Sequence, residues 1–283
     1  MNNSLVDLHM HSNASDGTDD VHKLLENLRA AGIKTFALTD HDTIEGVLEI
    51  ENIIPKDMTF IRGIEFSSIT AAGKCHILGF NYDKEDSAFK QALEKGRQKR
   101  RNKLLRRLDF LKKEFNIEIP EVQRKKFMSQ DSVGKPHLGN LLVSMGLAAN
   151  KNEAIEKYID PCKTESDRID AEDAIKGIIS AGGAPVWAHP YGGTGEREIS
   201  QEKFEEQLHI LISLGIKGLE CYYSKYTENQ VASLVKAAKE YNLLISGGSD
   251  YHGANKNIAL GTLNAYGKEI KEKDLTIISN ISF

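Results

Sequence analysis

Six of the nine histidines in this 283-residue chain sit in short clusters with carboxylates. The clusters are His9-Met10-His11 with Asp16, Thr39-Asp40-His41-Asp42, Glu65, His76, Ala188-His189-Pro190 and Ser249-Asp250-Tyr251-His252. Neutral imidazoles and carboxylates are the donors that divalent transition metals prefer. Each cluster lies at the end of an apolar, strand-like run. Residues two apart on a strand share a face, so His9 pairs with His11, and Asp250 with His252. A single His-x-His is a weak signal. Five further clusters at the same end of successive strands make a strong one. Gathered on one side of a sheet they would hold two or three metal ions, a centre suited to phosphate-ester hydrolysis.

The elements that must position these residues follow from periodicity. Strands are predicted over 4–8, 35–38, 59–66, 75–82, 184–188, 218–222 and 243–247. Between them fall helices over 21–31, 43–53, 171–181, 204–214 and 227–241. Asp19 or Asp20 is placed to cap the first helix, and Gly32 to end it. The alternation predicts parallel βα units. From 84 to 159 strand-like runs are missing. The segments 84–126, 137–147 and 151–159 read as helical, so residues 83–165 form an all-helical insertion. This leaves 1–82 and 166–283 for the α/β domain. The tail from 258 carries short strand-like pieces.

Composition sets the outer bounds. Hydrophobic residues make up 40% and charged residues 28%, as in a soluble globular protein. No apolar run reaches the roughly 20 residues that span a bilayer. The net charge of −4 argues against a chain that coats nucleic acid throughout. The three cysteines, Cys75, Cys162 and Cys221, form no C-x-x-C pair and no even framework, which points to the cytoplasm. Cys75, next to His76, is expected to face the core. The basic run Lys95–Arg107 is read as a solvated helix face, with a backbone groove for short oligonucleotides as the alternative. His22 and His209 are read as structural.

The motifs Asp7-Leu8-His9-Met10-His11-Ser12, Ser15-Asp16-Gly17, Leu38-Thr39-Asp40-His41-Asp42-Thr43, Gly63-Ile64-Glu65, His76-Ile77-Leu78-Gly79, Ala188-His189-Pro190 and Gly247-Gly248-Ser249-Asp250-Tyr251-His252 resemble, in order, those of the PHP (polymerase and histidinol phosphatase) family. The likeness is to its bacterial nucleotide-phosphatase branch with a helical insertion. It implies a distorted (β/α)7-type barrel with the metals at the C-terminal mouth, agreeing with the strand reading. It also implies a metal-dependent phosphomonoesterase acting on small nucleotides, AMP or a nucleoside 3′,5′-bisphosphate. A metal-activated water is the nucleophile. The alternatives are a 5′-3′ exonuclease on short oligonucleotides, a histidinol-phosphate phosphatase and a catalytically idle metal-binding regulatory module. No membrane and no obligate protein partner is expected.

Carried over, the resemblance gives His9, His11, Glu65 and Asp250 to a first metal. Glu65 bridges to a second, completed by His76 and His189. Asp16, His41 and His252 take a third, where some branches have His at the position of Asp16. Asp40 orients a ligand from behind. The ions expected are Mn, Zn or Fe. Glu65, Asp250, His41 and His252 are the catalytic candidates, with His252 or His41 the proton donor to the leaving oxygen if the third metal is absent. Gly134-Lys135-Pro136-His137 resembles a segment that usually carries Arg at the position of Lys135. Lys135, His137 and Arg197 are the candidate substrate contacts, and Tyr222, Tyr223 and Tyr226 are weighed between base stacking and core packing.

Overall fold

The first helix shows how closely local chemistry sets the elements. In a computed structural model describing residues 4–164, 167–194 and 198–281, α1 (Val21–Ala31) starts where the Asp20 carboxylate accepts the Lys23 N–H. It ends at Gly32, whose φ of 77° closes the last turn. Val21, Leu24, Leu25 and Leu28 form its buried stripe. Strand β1 (Val6–Asp7) precedes it and β2 (Thr35–Leu38) follows. Then come α2 (Glu45–Ile50), β3 (Thr59–Thr70) and β4 (Gly73–Phe80).

β1, β2 and β3 are parallel, but β4 runs antiparallel to β3 and to β6 (Ala184–Ala188). This corrects the expectation of parallel units throughout. A parallel neighbour needs a crossover of about a dozen residues or more. Only Ala71 and Ala72 separate β3 from β4, so the chain turns straight back as a hairpin. The reversal has a use. β4 delivers His76 from its start to the rim where the other strands deliver ligands from their ends; His76 lies opposite Ser67 on β3 and Ala188 on β6.

Past β5 (Ile169–Asp170), which pairs with β3, the chain runs through α7 (Ala171–Ser180), β6, α8 (Gln201–Leu214), β7 (Gly218–Tyr223), α9 (Glu228–Glu240) and β8 (Leu244–Gly248). The sheet order is β1-β2-β3-β4-β6-β7-β8. Leu8 N–H to Gly247 O and Asp250 N–H to His9 O join its ends, so the strands make a nearly closed barrel. The tail contributes 3₁₀ turns, and among the described residues past 258 there is no strand. The strand-like pieces read there serve to bury Ile270, Leu275 and Ile277 in the main core.

Between β4 and β5 lie α3 (Ser87–Phe115), α4 (Glu121–Met128), α5 (Lys135–Ser144) and α6 (Lys151–Ala154), the last running into a π turn. Leu104, Leu111, Phe127, Leu138, Leu142 and Tyr158 belong to a hydrophobic cluster separate from the barrel core. Phe89, Ala92 and Leu93, at the start of α3, pack into the barrel core instead. One helix thus serves two cores. Among the described residues no helix is long and apolar enough to cross a membrane.

Candidate metal centre

The barrel rim gathers eight side chains around the Glu65 carboxylate. Its Oε2 lies 3.2 Å from His9 Nε2, 3.2 Å from His11 Nε2 and 3.1 Å from His41 Nδ1. Its Oε1 lies 2.8 Å from His76 Nδ1 and 3.1 Å from His189 Nε2. Asp250 Oδ1 sits 3.4 Å from His11 Nε2 and 3.3 Å from His252 Nδ1. Asp16 Oδ1 sits 3.1 Å from His252 Nε2. His41 stands between groups, with Nδ1 toward Glu65 and Nε2 3.9 Å from Asp16.

Backbone geometry aims these residues. Asp42, His189 and Asp250 each follow a strand or an isolated bridge with φ of 52°, 31° and 59°, in the left-handed region. That conformation costs about 1–2 kcal/mol for a side chain with a Cβ. It is held by Asp42 N–H to Glu65 O, Asp250 N–H to His9 O and His189 N–H to Glu220 Oε2. Gly248 is required by a close approach: a Cβ there would stand 2.3 Å from His9 Cβ.

A set of metal ligands leaves a recognisable trace. His9 Nε2, His11 Nε2, His41 Nδ1, Asp16 Oδ1 and Glu65 Oε2 are buried and lack a hydrogen-bond partner among the described residues, although they converge on one another. They lie close together but misaligned for hydrogen bonding. A cation satisfies such a cluster, whereas leaving it unpaired is costly. Among the described residues three subsets lie close enough to hold an ion: His11, Asp16, His41 and His252; His9, His11 and Asp250; His41, Glu65 and His76.

Electrostatics agree with this fit. Burial pulls the His9 and His11 rings down, but carboxylates outweigh it. Glu220 and Glu65 hold His9 well above the usual histidine range, and Asp250 and Glu65 bring His11 to about 9. Burial lowers His41, His76 and His252, while the carboxylates beside them pull the other way. Burial opposes the charged carboxylates too. His41 and His9 nevertheless keep Glu65 ionised, His252 and His41 keep Asp16 ionised, and Lys256 and His252 keep Asp250 ionised. Ionised carboxylates beside neutral or exchangeable imidazoles are what a divalent ion requires.

Several supporting residues were not singled out from sequence. Glu220 is fully buried, with Oε1 2.8 Å from His9 Nδ1 and Oε2 accepting the His189 N–H. Its signal was an acid inside the otherwise apolar strand β7. Lys256 Nζ and the Tyr223 hydroxyl both bind Asp250 Oδ2, at 2.6 and 2.8 Å, turning Oδ1 to the histidines. Asp40 accepts from Ser12 N–H, Ser12 Oγ and Ser15 Oγ, and Ser15 Oγ lies 3.4 Å from His11 Nδ1. Its support of a ring therefore passes through a serine.

The predicted substrate contacts fare differently. Lys135 Nζ is 2.5 Å from Asp160 Oδ1, and its side chain lines a cavity beside His76 and His189. His137 Nδ1 accepts the Gly134 N–H and caps α5. Arg197 lies outside the described residues. Tyr223 and Tyr226 are buried in the core and Tyr222 is partly buried against it. The basic helix splits by face. Arg101 and Arg106 are exposed, but Arg100, Lys103 and Arg107 are buried, which corrects the solvated reading for these three. Arg100 is held by Asp42 Oδ2 at 2.7 Å and Ser67 Oγ at 2.8 Å. Lys103 is 7% exposed, and its amine is held well below the ordinary lysine range by burial and by the guanidiniums of Arg168, Arg100 and Arg107.

With this geometry in place, comparisons with known proteins identify the class. A model of the PHP domain matches residues 7–102. The chain is similar to a 5′-3′ exoribonuclease of Haemophilus influenzae, 32% identical over 87% of this chain and 89% of the relative. It is similar to a phosphoribosyl 1,2-cyclic phosphate 1,2-diphosphodiesterase of Eggerthella lenta, 28% identical over 88% of this chain and 94% of the relative. It also resembles a 3′,5′-nucleoside bisphosphate phosphatase of Chromobacterium violaceum, 24% identical over 87% of each. A solved structure assigned as a metal-dependent phosphoesterase from Bifidobacterium adolescentis superposes with a TM-score of 0.78 at 26% identity, over 98% of this chain and 94% of that one. The chain belongs to the PHP domain family, and it is a metal-dependent phosphoesterase of that family.

Proposed function

We propose that this phosphoesterase removes phosphate from small nucleotides, a nucleoside monophosphate or 3′,5′-bisphosphate. The observation that carries the reading is a cavity of about 470 Å³ directly against His76 and His189. Lys74, Lys135, Arg168 and Lys203 line it, and among the described residues no carboxylate does. Its volume suits one nucleotide, and its charge suits a phosphate dianion. The bisphosphate phosphatase from C. violaceum supports the same class.

His9, His11, Glu65 and Asp250 would hold one divalent ion, Glu65, His76 and His189 a second, and Asp16, His41 and His252 a third, with Mn, Zn or Fe as the ions. Such ions activate a water nucleophile and neutralise phosphoryl oxygens. Glu220, through His9 Nδ1 and His189 N–H, fixes two rings. His41 and His252, both lowered by burial, suit ligation better than donation of a proton to the leaving oxygen. Lys103 and Arg107 are buried, and Arg107 Nε has no hydrogen-bond partner among the described residues, so the two suit a phosphate group of the substrate. Residues 83–165 cover the site: a Cβ at Gly134 would stand 3.2 Å from the Asp16 side chain, and Lys151 Nζ reaches Asn255.

A second reading, trimming of short RNA from the 5′ end, is favoured by the H. influenzae relative. The two separate by kcat/KM on AMP, adenosine 3′,5′-bisphosphate and a 5′-phosphorylated oligonucleotide. We expect a mononucleotide or bisphosphate to be preferred by about tenfold or more, a difference of 1.4 kcal/mol or more. Lys99→Gln with Arg101→Gln should leave that turnover unchanged. If the oligonucleotide is preferred, and the double variant lowers its turnover and its salt slope by roughly 0.7 per lost phosphate contact, the exonuclease reading replaces ours.

A further inference from the structure

We infer that Gln207, on α8, selects the base of the substrate by donating an N–H to a base acceptor from the wall of this cavity; the inference rests on the nucleotide reading. A phosphate held at the metal centre sends its leaving group into the adjoining space, and the cavity is that space because His76 and His189 form part of its wall. The rest of the wall divides by chemistry. The cations suit phosphate oxygens. Trp187, Pro190 and Ile199 give an apolar surface suited to the face of a ring. Gln207 adds the one side-chain amide of the lining among the described residues.

That amide is half used. Gln207 is 3% exposed, and its Oε1 accepts the Thr70 hydroxyl at 2.9 Å. Its Nε2 has no partner among the described residues. With Oε1 spent on Thr70, the donor end of the amide is left over. A buried donor without an acceptor is unfavourable, and a ligand that brings an acceptor relieves it. Sites built to bond a polar group discriminate strongly against ligands that lack it. A carbonyl oxygen or unprotonated ring nitrogen of a nucleobase is such an acceptor, and ribose 5-phosphate has none of that kind.

The test compares kcat/KM for AMP, GMP, CMP, UMP and ribose 5-phosphate in the metal-loaded wild type, Gln207→Met and Thr70→Val. Gln207→Met keeps length and volume and removes the donor. It should lower kcat/KM on the preferred nucleotide about tenfold, through KM, and flatten the ranking of bases. Ribose 5-phosphate should be unaffected. Thr70→Val keeps Gln207 but frees its amide, so the ranking should weaken while ribose 5-phosphate is again unchanged. Thermal melting of each variant reports folding. The inference is overturned if Gln207→Met keeps the wild-type ranking, or loses as much on ribose 5-phosphate as on nucleotides. A wild type that hydrolyses ribose 5-phosphate as well as every nucleotide instead defeats the nucleotide reading itself.

Discussion

Glu65→Gln should lower phosphate release at least about a thousandfold, equivalent to roughly 4 kcal/mol of barrier, and should strip metal while leaving the fold intact. Glu65 is 1% exposed and touches five imidazoles, three through Oε2 and two through Oε1. Glutamine has nearly the same shape but no charge, and one of its ends turns N–H donors toward ring nitrogens that need an acceptor or a cation. Metal analysis beside circular dichroism checks this. A variant with wild-type metal content and near-normal turnover would remove Glu65 from the centre.

Lys103→Met carries the second large effect, with opposite signs on two readouts. The Lys103 amine is held below its unfolded pKa, so the unfolded chain binds more protons in the window between the two values. Stability therefore rises with pH across that window, and the penalty is full below the folded pKa. Methionine removes the penalty, so at neutral pH and without phosphate the variant should melt a few degrees higher, at about 2–4 °C per kcal/mol for large domains. Inorganic phosphate should raise the melting temperature of the wild type more than that of the variant. Turnover should fall by about tenfold to a hundredfold, the order that losing a charged hydrogen bond to phosphate brings. If the variant melts lower and keeps full turnover, Lys103 is packing rather than recognition.

The metal-binding clusters were readable because imidazole and carboxylate at strand ends are unusual outside metal sites, and two-residue spacing places both on one face. Apart from Asp40, the supporting layer was not, because Glu220 and Lys256 act through contacts 211 and 6 residues away in sequence, which only the closed barrel and the turn after β8 create. Two misreadings had a visible signal. The spacing between Glu65 and His76 leaves no room for a crossover helix, so β4 had to turn back. In the basic helix, Arg100, Lys103, Arg107 and Leu111 share one face at helical spacing with Leu104, so three of the cations fall on the buried side. Counting charge along the sequence hides this, and separating it by helical phase exposes it.

The central claim is that one buried cluster of histidines and carboxylates holds divalent metals and that phosphate release depends on them. It is tested most directly by measuring bound metal and phosphate release from AMP on the same sample: as purified, after chelation, and after return of Mn, Zn or Fe. Two or three metal equivalents per chain are expected, with loss of both metal and activity on chelation and return of both with at least one of the ions. Undiminished phosphate release from the chelated, metal-free protein would contradict it, as would a protein carrying at least two metals that releases phosphate from no monoester.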